Sequence, residues 1–176
     1  MTIWWIWYAT PVGPPAATLA STTMNMIAFM LFHTVSKKAP KALAYVTLVT
    51  AWITTEYWYT VGDFSWPWLI LGNGFSHEVW AVQWYEYTGV FGGTLWVLLS
   101  NILIFEALRT RSARRWIAAA CIVIVPMAVS LAIRGSWKQP GEGAVAVSVI
   151  QPNVDCYDKF HGDVQRLSLI HISEPT

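Results

Sequence analysis

The chain has 176 residues, of which 55% are hydrophobic and only 12% are charged, and its net charge is +1. Soluble domains carry about 25% charged residues, so this composition excludes an ordinary soluble domain, and the near-zero net charge gives no case for a nucleic-acid partner. The twelve tryptophans are typical of a membrane protein, because an apolar ring with one N–H donor is favourable at headgroup depth. The two cysteines have no metal-ligand spacing, and we expect neither a metal nor a cofactor.

Hydrophobic windows predict an all-α polytopic membrane bundle in residues 1–134. A spanning helix needs about 20 predominantly apolar residues, and four windows meet this requirement. The predicted spanning helices are residues 15–35, 41–60, 88–108 and 116–133.

Basic residues predict the orientation of these helices. Short loops rich in Lys and Arg stay in the cytoplasm, which places residues 36–41 and 109–115 inside. Because four helices must alternate, residues 61–87 and everything after about 134 are then periplasmic. Segment 61–87 is too aromatic for a solvated loop and too interrupted by Pro and Gly to span, so we expect it to lie at the interface.

The polar, Gly-rich residues 135–143 predict a linker. The run "AVAVSVI" (residues 144–150) then reads as a buried β-strand. We expect residues 144–166 to begin an extracytoplasmic α/β domain, although so few residues do not make an independent core.

Three stretches in chain order resemble the bacterial apolipoprotein N-acyltransferase family. They are "EYWYTVGDFSWPWLILGN", "VQWYEYTGVFGGTLWVLLSN" and "VSVIQPNVDCYDKF". The last is similar to the first strand of the family's nitrilase-like domain, and the resemblance covers roughly residues 3–166. It implies a membrane bundle followed by one terminal strand of an incomplete nitrilase-like domain, so the chain is expected to be a fragment.

The resemblance implies an acyl transfer in the bacterial inner membrane. A cysteine thiolate takes an acyl chain from a phospholipid, and the α-amine of a diacylglyceryl apolipoprotein attacks the resulting thioester. The phospholipid, the apolipoprotein and the bilayer are therefore the expected partners. The family's catalytic Glu, Lys and Cys all follow the first strand, so we expect no catalytic residue in this chain. Cys156 comes before the positions of that Glu and Lys, and chain order therefore argues against it as the nucleophile.

The final segment "LSLIHISEPT" (residues 167–176) reads like the translation of a transposon-end adapter used in preparing sequencing libraries. We expect these ten residues not to derive from the gene.

Six residues are candidates for a lipid or substrate cavity, each with an alternative role. Glu56, near the outer end of its helix, would bind a lipid headgroup or serve the structure. Trp66, Pro67 and Trp68 would line a lipid entry or anchor the chain at the interface. The remaining two candidates are Gln83, with interhelical hydrogen bonding as the alternative, and Phe160, which the resemblance places near the substrate cavity.

Two function classes remain open at this point. The first is a fragment of the acyltransferase, itself inactive. The second is a non-enzymatic helix-bundle scaffold or a transporter fragment, although a transporter is expected to show paired repeats and broken helices, and no repeat is visible.

Overall fold

The computed structural model describes residues 4–8, 10–62 and 67–137. These residues form four long helices, α1 (Gly13–Ser36), α2 (Lys41–Val61), α3 (Tyr85–Thr110) and α4 (Ala113–Ser136). The predicted helical bundle is therefore confirmed for the described residues, in which each long helix lies within a few residues of its predicted range. The predicted strand falls at residues 144–150, outside the described residues, as do most of the linker, Cys156 and the tail.

Short connections make two helical hairpins. Pro residues occupy the first turn of α1, where the missing N–H has no helical partner in any case. Pro40 precedes α2, and the residue before a proline is biased away from helical geometry. Arg111, with φ 50°, ends α3 in the left-handed conformation, and α4 begins two residues later. The chain thus runs back and forth, with α1 packed on α2 and α3 packed on α4.

Three of the helices, α1, α3 and α4, are long and apolar enough to cross a membrane. The fourth, α2, is 21 residues long and is richer in Thr, Tyr and Trp. It packs against both α1 and α3.

The burial pattern is the reverse of that in a soluble bundle. Small or polar residues lie in the interior: Ser21, Ala28, Ala44, Thr94, Ala107, Ala119 and Ser130 are all at most 7% exposed. Large apolar side chains such as Phe29, Met30, Ile117 and Ile124 point outward. Lipid solvates such side chains as well as a protein core does, and small residues let helix backbones approach closely. The pattern therefore indicates helices that face lipid.

At one end of the bundle, two arginines contact a single carboxylate. Glu106 of α3 accepts hydrogen bonds from Arg109 Nη2 at 3.0 Å and from Arg115 Nη1 of α4. The hydroxyl of Tyr45 in α2 donates to its other oxygen at 2.6 Å. The i,i+3 ion pair between Glu106 and Arg109 thus belongs to a larger network that joins α2, α3 and α4. We call this the basic end.

At the opposite end, three short 3-10 turns join α2 to α3: Pro67–Leu69, Leu71–Phe75 and Val79–Ala81. We call residues 67–84 the connecting segment. Among the described residues it contains no further long helix, in agreement with its interrupted sequence. A small cluster of Ala81, Val82 and Trp96 packs it against α3, with Phe75, Trp84 and Met127 around the cluster.

Helix α3 has a break near its start. Gly89 has φ 64° and ψ −173°, a combination that only glycine adopts readily. The first four residues of α3 are thereby turned relative to the rest of the helix. A β-carbon at Gly89 would meet no atom within 4 Å, so the requirement for glycine is one of backbone conformation and not of space.

We expect Gly89→Ala to lower the free energy of unfolding by about 1–3 kcal/mol, the usual cost of a non-glycine residue in this conformation. The matched control is Gly135→Ala, which also meets nothing within 4 Å but lies in α4 without a positive φ. Thermal unfolding of both variants in the same detergent measures the difference. Equal melting temperatures for the two variants would contradict the role assigned to Gly89.

Candidate functional site

A buried carboxylate organises the end of the bundle opposite the basic end. Glu56 lies in the last turns of α2 and is only 2% exposed. Its Oε1 accepts hydrogen bonds from Trp52 Nε1 at 3.0 Å and from the backbone N–H of Leu71 at 2.9 Å. Its Oε2 accepts a hydrogen bond from the hydroxyl of Thr94 at 2.5 Å. Burial of a carboxylate is costly unless its oxygens are hydrogen-bonded, and here three donors meet that need.

Thr94 extends this network to the connecting segment. Its hydroxyl also accepts a hydrogen bond from the backbone N–H of Gly72 at 3.2 Å. The carbonyl of Gly72 in turn accepts from the Tyr85 hydroxyl at 2.9 Å. A β-carbon at Gly72 would collide with the backbone carbonyl of Val90, so glycine is required for this close approach. Glu56, Leu71, Gly72, Tyr85 and Thr94 form what we call the Glu56 cluster.

The cluster holds a turn of the connecting segment, and its carboxylate is almost completely buried. Both oxygens of Glu56 are occupied by donors of the protein. The two ion pairs found within residues 4–8, 10–62 and 67–137 both belong to Glu106, so neutral donors alone contact Glu56. Its geometry is that of a positioning residue, which joins α2, α3 and the connecting segment.

An open cleft lies between the connecting segment and the C-terminal end of α4. It has a volume of about 430 Å³ and is lined by His77, Val79, Trp80, Gln83, Arg134 and Trp137. We call it the Arg134 cleft. A lining with one guanidinium, one imidazole and two indole rings suits a ligand that carries an anionic group beside an apolar surface.

Ser130 of α4 fixes the wall of this cleft. Its hydroxyl accepts a hydrogen bond from the Gln83 backbone N–H at 2.5 Å and donates to the Trp80 carbonyl at 2.9 Å. The Gln83 side chain donates to the Val79 carbonyl at 2.7 Å. Because Ser130 is fully buried, this contact holds the segment against α4 as the Glu56 cluster holds it against α2 and α3.

The structure separates the residues that the sequence singles out. Gln83 lines the Arg134 cleft, whereas Glu56 does not. The carbonyl of Pro67 accepts a hydrogen bond from Asn73 Nδ2 at 2.9 Å, and Trp68 is 62% exposed. Trp66 and Phe160 lie outside the described residues. A cavity role for these six residues therefore stays a prediction.

Several residues of the site escape sequence analysis. Thr94 follows two glycines in an apolar helix, and that context signals close packing without naming a partner. Ser130 carries no sequence signal at all. Arg134 is the basic residue in the last turn of α4, and a cation at the end of an apolar helix is a sequence signal for a headgroup contact.

We expect Glu56→Ala to destabilise the protein strongly, because it leaves the Leu71 N–H and the Thr94 hydroxyl buried without their acceptor. Each such group costs about 1–3 kcal/mol. The control is Thr54→Ala, an exposed position on the same helix. Thermal unfolding gives the loss of stability, and limited proteolysis shows whether cleavage appears first in the connecting segment. A melting temperature for Glu56→Ala equal to that of the control would contradict the structural role.

Comparison with known proteins identifies the family. The apolipoprotein N-acyltransferase N-terminal domain matches residues 1–103. The apolipoprotein N-acyltransferase of Chlorobaculum tepidum is 26% identical over 166 residues, which cover 91% of this chain and 31% of that protein. The chain thus spans about a third of the length of this relative. No solved structure gives a significant match. Since the family domain covers more than half of the sequence, the chain belongs to the apolipoprotein N-acyltransferase family.

Proposed function

We propose that this chain is the membrane part of an enzyme that transfers an acyl chain from a phospholipid to the N-terminal amine of a diacylglyceryl apolipoprotein. The observation that carries the proposal is the family match over residues 1–103, supported by the alignment to an N-acyltransferase over most of the chain. No feature of the described bundle favours the scaffold or transporter alternative over this one.

The reaction we propose has two steps. A cysteine thiolate attacks the ester carbonyl of the phospholipid, an acyl thioester forms, and the lysophospholipid leaves and takes up a proton. The amine of the apolipoprotein then attacks the thioester carbonyl, the thiolate leaves, and the new amide nitrogen loses a proton. We assign none of the family's catalytic Glu, Lys and Cys to this sequence, and we place the start of the nitrilase-like domain at residues 144–166.

We propose that all four helices span the bacterial inner membrane, with the basic end in the cytoplasm. Loops 36–41 and 109–115 carry the Lys and Arg that hold a loop inside, and residues 61–87 and those after about 134 are periplasmic. Two contacts support a spanning α2: Tyr45 reaches Glu106 at the basic end, and Glu56 reaches Leu71 at the opposite end. A helix of 21 residues is about 31 Å long, which matches the hydrocarbon thickness.

We propose that the Arg134 cleft receives the headgroup side of the acyl donor. The guanidinium group of Arg134 suits a phosphate, and Gln83 adds an amide at the wall. Pro67 and Trp68 would anchor the connecting segment at the interface. The cavity roles of Trp66 and Phe160 stay predictions from the sequence. Glu56 acts on this cavity indirectly, because it holds the turn at Leu71 and Gly72.

The proposed cavity can be tested in the complete enzyme that carries this chain. We expect Arg134→Gln to raise the KM for phospholipid about tenfold with a smaller change in kcat, because one charge-assisted hydrogen bond is lost. Transfer of a labelled acyl chain to a diacylglyceryl lipopeptide is the measurement. Arg111→Gln, at the basic end, is the matched control. An absence of acyl transfer by the unaltered enzyme would refute the function, whereas an unchanged KM in Arg134→Gln would refute only the cavity.

The topology can be tested by cysteine labelling in a variant in which Cys121 and Cys156 are replaced by Ser. We expect Lys38→Cys and Arg111→Cys to react with a membrane-impermeant maleimide only from the cytoplasmic side. Ser76→Cys, which is exposed in the connecting segment, is expected to react only from the periplasmic side. Labelling of positions 38 and 76 from the same side would show that α2 does not span.

A further inference from the structure

A second pocket lies at the basic end, between α1, α2 and α3. Its volume is about 250 Å³. Its lining includes the apolar residues Phe32, Ala44 and Phe105 and the charged residues Lys41, Arg109 and Glu106. We call it the Lys41 pocket. Lys41 and Arg109 lie at the ends of α2 and α3, and the apolar lining residues lie about one turn further along their helices. A ligand that fills the pocket is therefore expected to have a charged end and an apolar body.

The pocket is preorganised by contacts among its own residues. The Tyr45 hydroxyl is bound to Glu106 at 2.6 Å, and the ring of Phe32 stacks on that of Tyr45 with centroids 6.0 Å apart. Arg109 is held at 3.0 Å from the same carboxylate. Glu106, which is only 9% exposed, therefore positions Arg109 directly and Phe32 through Tyr45.

The charge of Glu106 is already satisfied by the protein. Two guanidinium groups, those of Arg109 and Arg115, contact one of its oxygens, and Tyr45 contacts the other. Lys41 lines the pocket but takes part in neither of the ion pairs that occur in the described part of the chain. Three cations therefore surround one carboxylate, and the pocket keeps a positive surplus.

The wider basic end reinforces this surplus. Seven basic residues lie at this end: Lys37, Lys38, Lys41, Arg109, Arg111, Arg114 and Arg115. Glu106 is the one acidic residue in the sequence between Glu86 and Glu142. Such an excess attracts an anion, and apolar walls below the cations select an anion that carries hydrocarbon. Basic pockets between membrane helices are suited to anionic lipid headgroups.

We propose that the Lys41 pocket binds an anionic phospholipid of the leaflet at the basic end, with the phosphate between Lys41 and Arg109 and one acyl chain along Phe105 and Phe32. This lipid is not the acyl donor, because the proposed donor cleft lies at the opposite end of the bundle. It acts as a bound structural lipid that bridges α1, α2 and α3 and balances their positive charge.

The test compares phosphatidylglycerol with phosphatidylcholine. The full 176-residue chain is purified in a neutral detergent, each lipid is titrated in, and bound lipid is counted by native mass spectrometry. We expect one phosphatidylglycerol molecule to bind in clear preference to phosphatidylcholine. Lys41→Gln is expected to weaken this binding about fivefold, since one cation near a lipid surface contributes about that much. The matched control, Lys38→Gln, removes an equal charge outside the pocket and is expected to change binding much less.

A second variant separates the site from general attraction. Phe105→Ala removes apolar wall from an exposed position without changing any charge, and it is expected to weaken phosphatidylglycerol binding while leaving the melting temperature in detergent nearly unchanged. Inorganic phosphate is expected not to displace the lipid. Any of four results would overturn the proposal. They are an equal loss of phosphatidylglycerol binding in Lys41→Gln and Lys38→Gln, equal binding of the two lipids, no loss of binding in Phe105→Ala, and displacement of the lipid by phosphate.

Discussion

The architecture depends on one buried carboxylate, that of Glu56. The connecting segment forms only short 3-10 turns. Glu56 holds the start of this segment against the bundle, whereas Ser130 and the cluster of Ala81, Val82 and Trp96 hold its later part. The hydrogen bond to the Leu71 N–H and the bond through Thr94 to the Gly72 N–H supply the acceptors that this irregular backbone needs. Irregular backbone is tolerated next to membrane helices only where such partners exist. The shape of the Arg134 cleft follows, since its wall begins where the held turn ends.

The two ends of the bundle each contain a carboxylate, but the charges around these two carboxylates differ. At the Glu56 end a single carboxylate is surrounded by neutral donors and is sealed from solvent. At the basic end a single carboxylate is surrounded by cations, and charge is left over. The Glu56 arrangement fixes the backbone of the connecting segment, because the N–H groups of Leu71 and Gly72 are bound at defined positions. The second joins helices α2, α3 and α4 through longer side chains and leaves capacity for an anion.

The sequence predicted the helices and the charged ends well, but not the contacts between them. Long apolar windows and the basic clusters at 36–41 and 109–115 determine where helices begin and end, because these depend on local composition. The pairing of Glu56 with Thr94 joins residues 38 positions apart, and that of Ser130 with Gln83 joins residues 47 apart. No local pattern marks such pairs, since a buried Thr or Ser looks like any small residue in a membrane helix. The backbone conformation at Gly89 likewise has no local signal, because a glycine in an apolar helix is equally consistent with close packing.

The inverted interior has a consequence for how such chains diverge. On the lipid-facing side, Leu, Ile, Val, Met and Phe are nearly equivalent solvated groups, so exchanges among them leave the fold intact. At Ala28, Thr94, Ala107 and Ser130, which are almost completely buried, any larger side chain forces helices apart. Substitutions therefore accumulate on the outside, where most of the side-chain mass is, and overall identity falls faster than structural similarity. An identity of 26% with a relative is therefore compatible with a shared helix packing. A comparison of two such proteins should give most weight to the small interior positions.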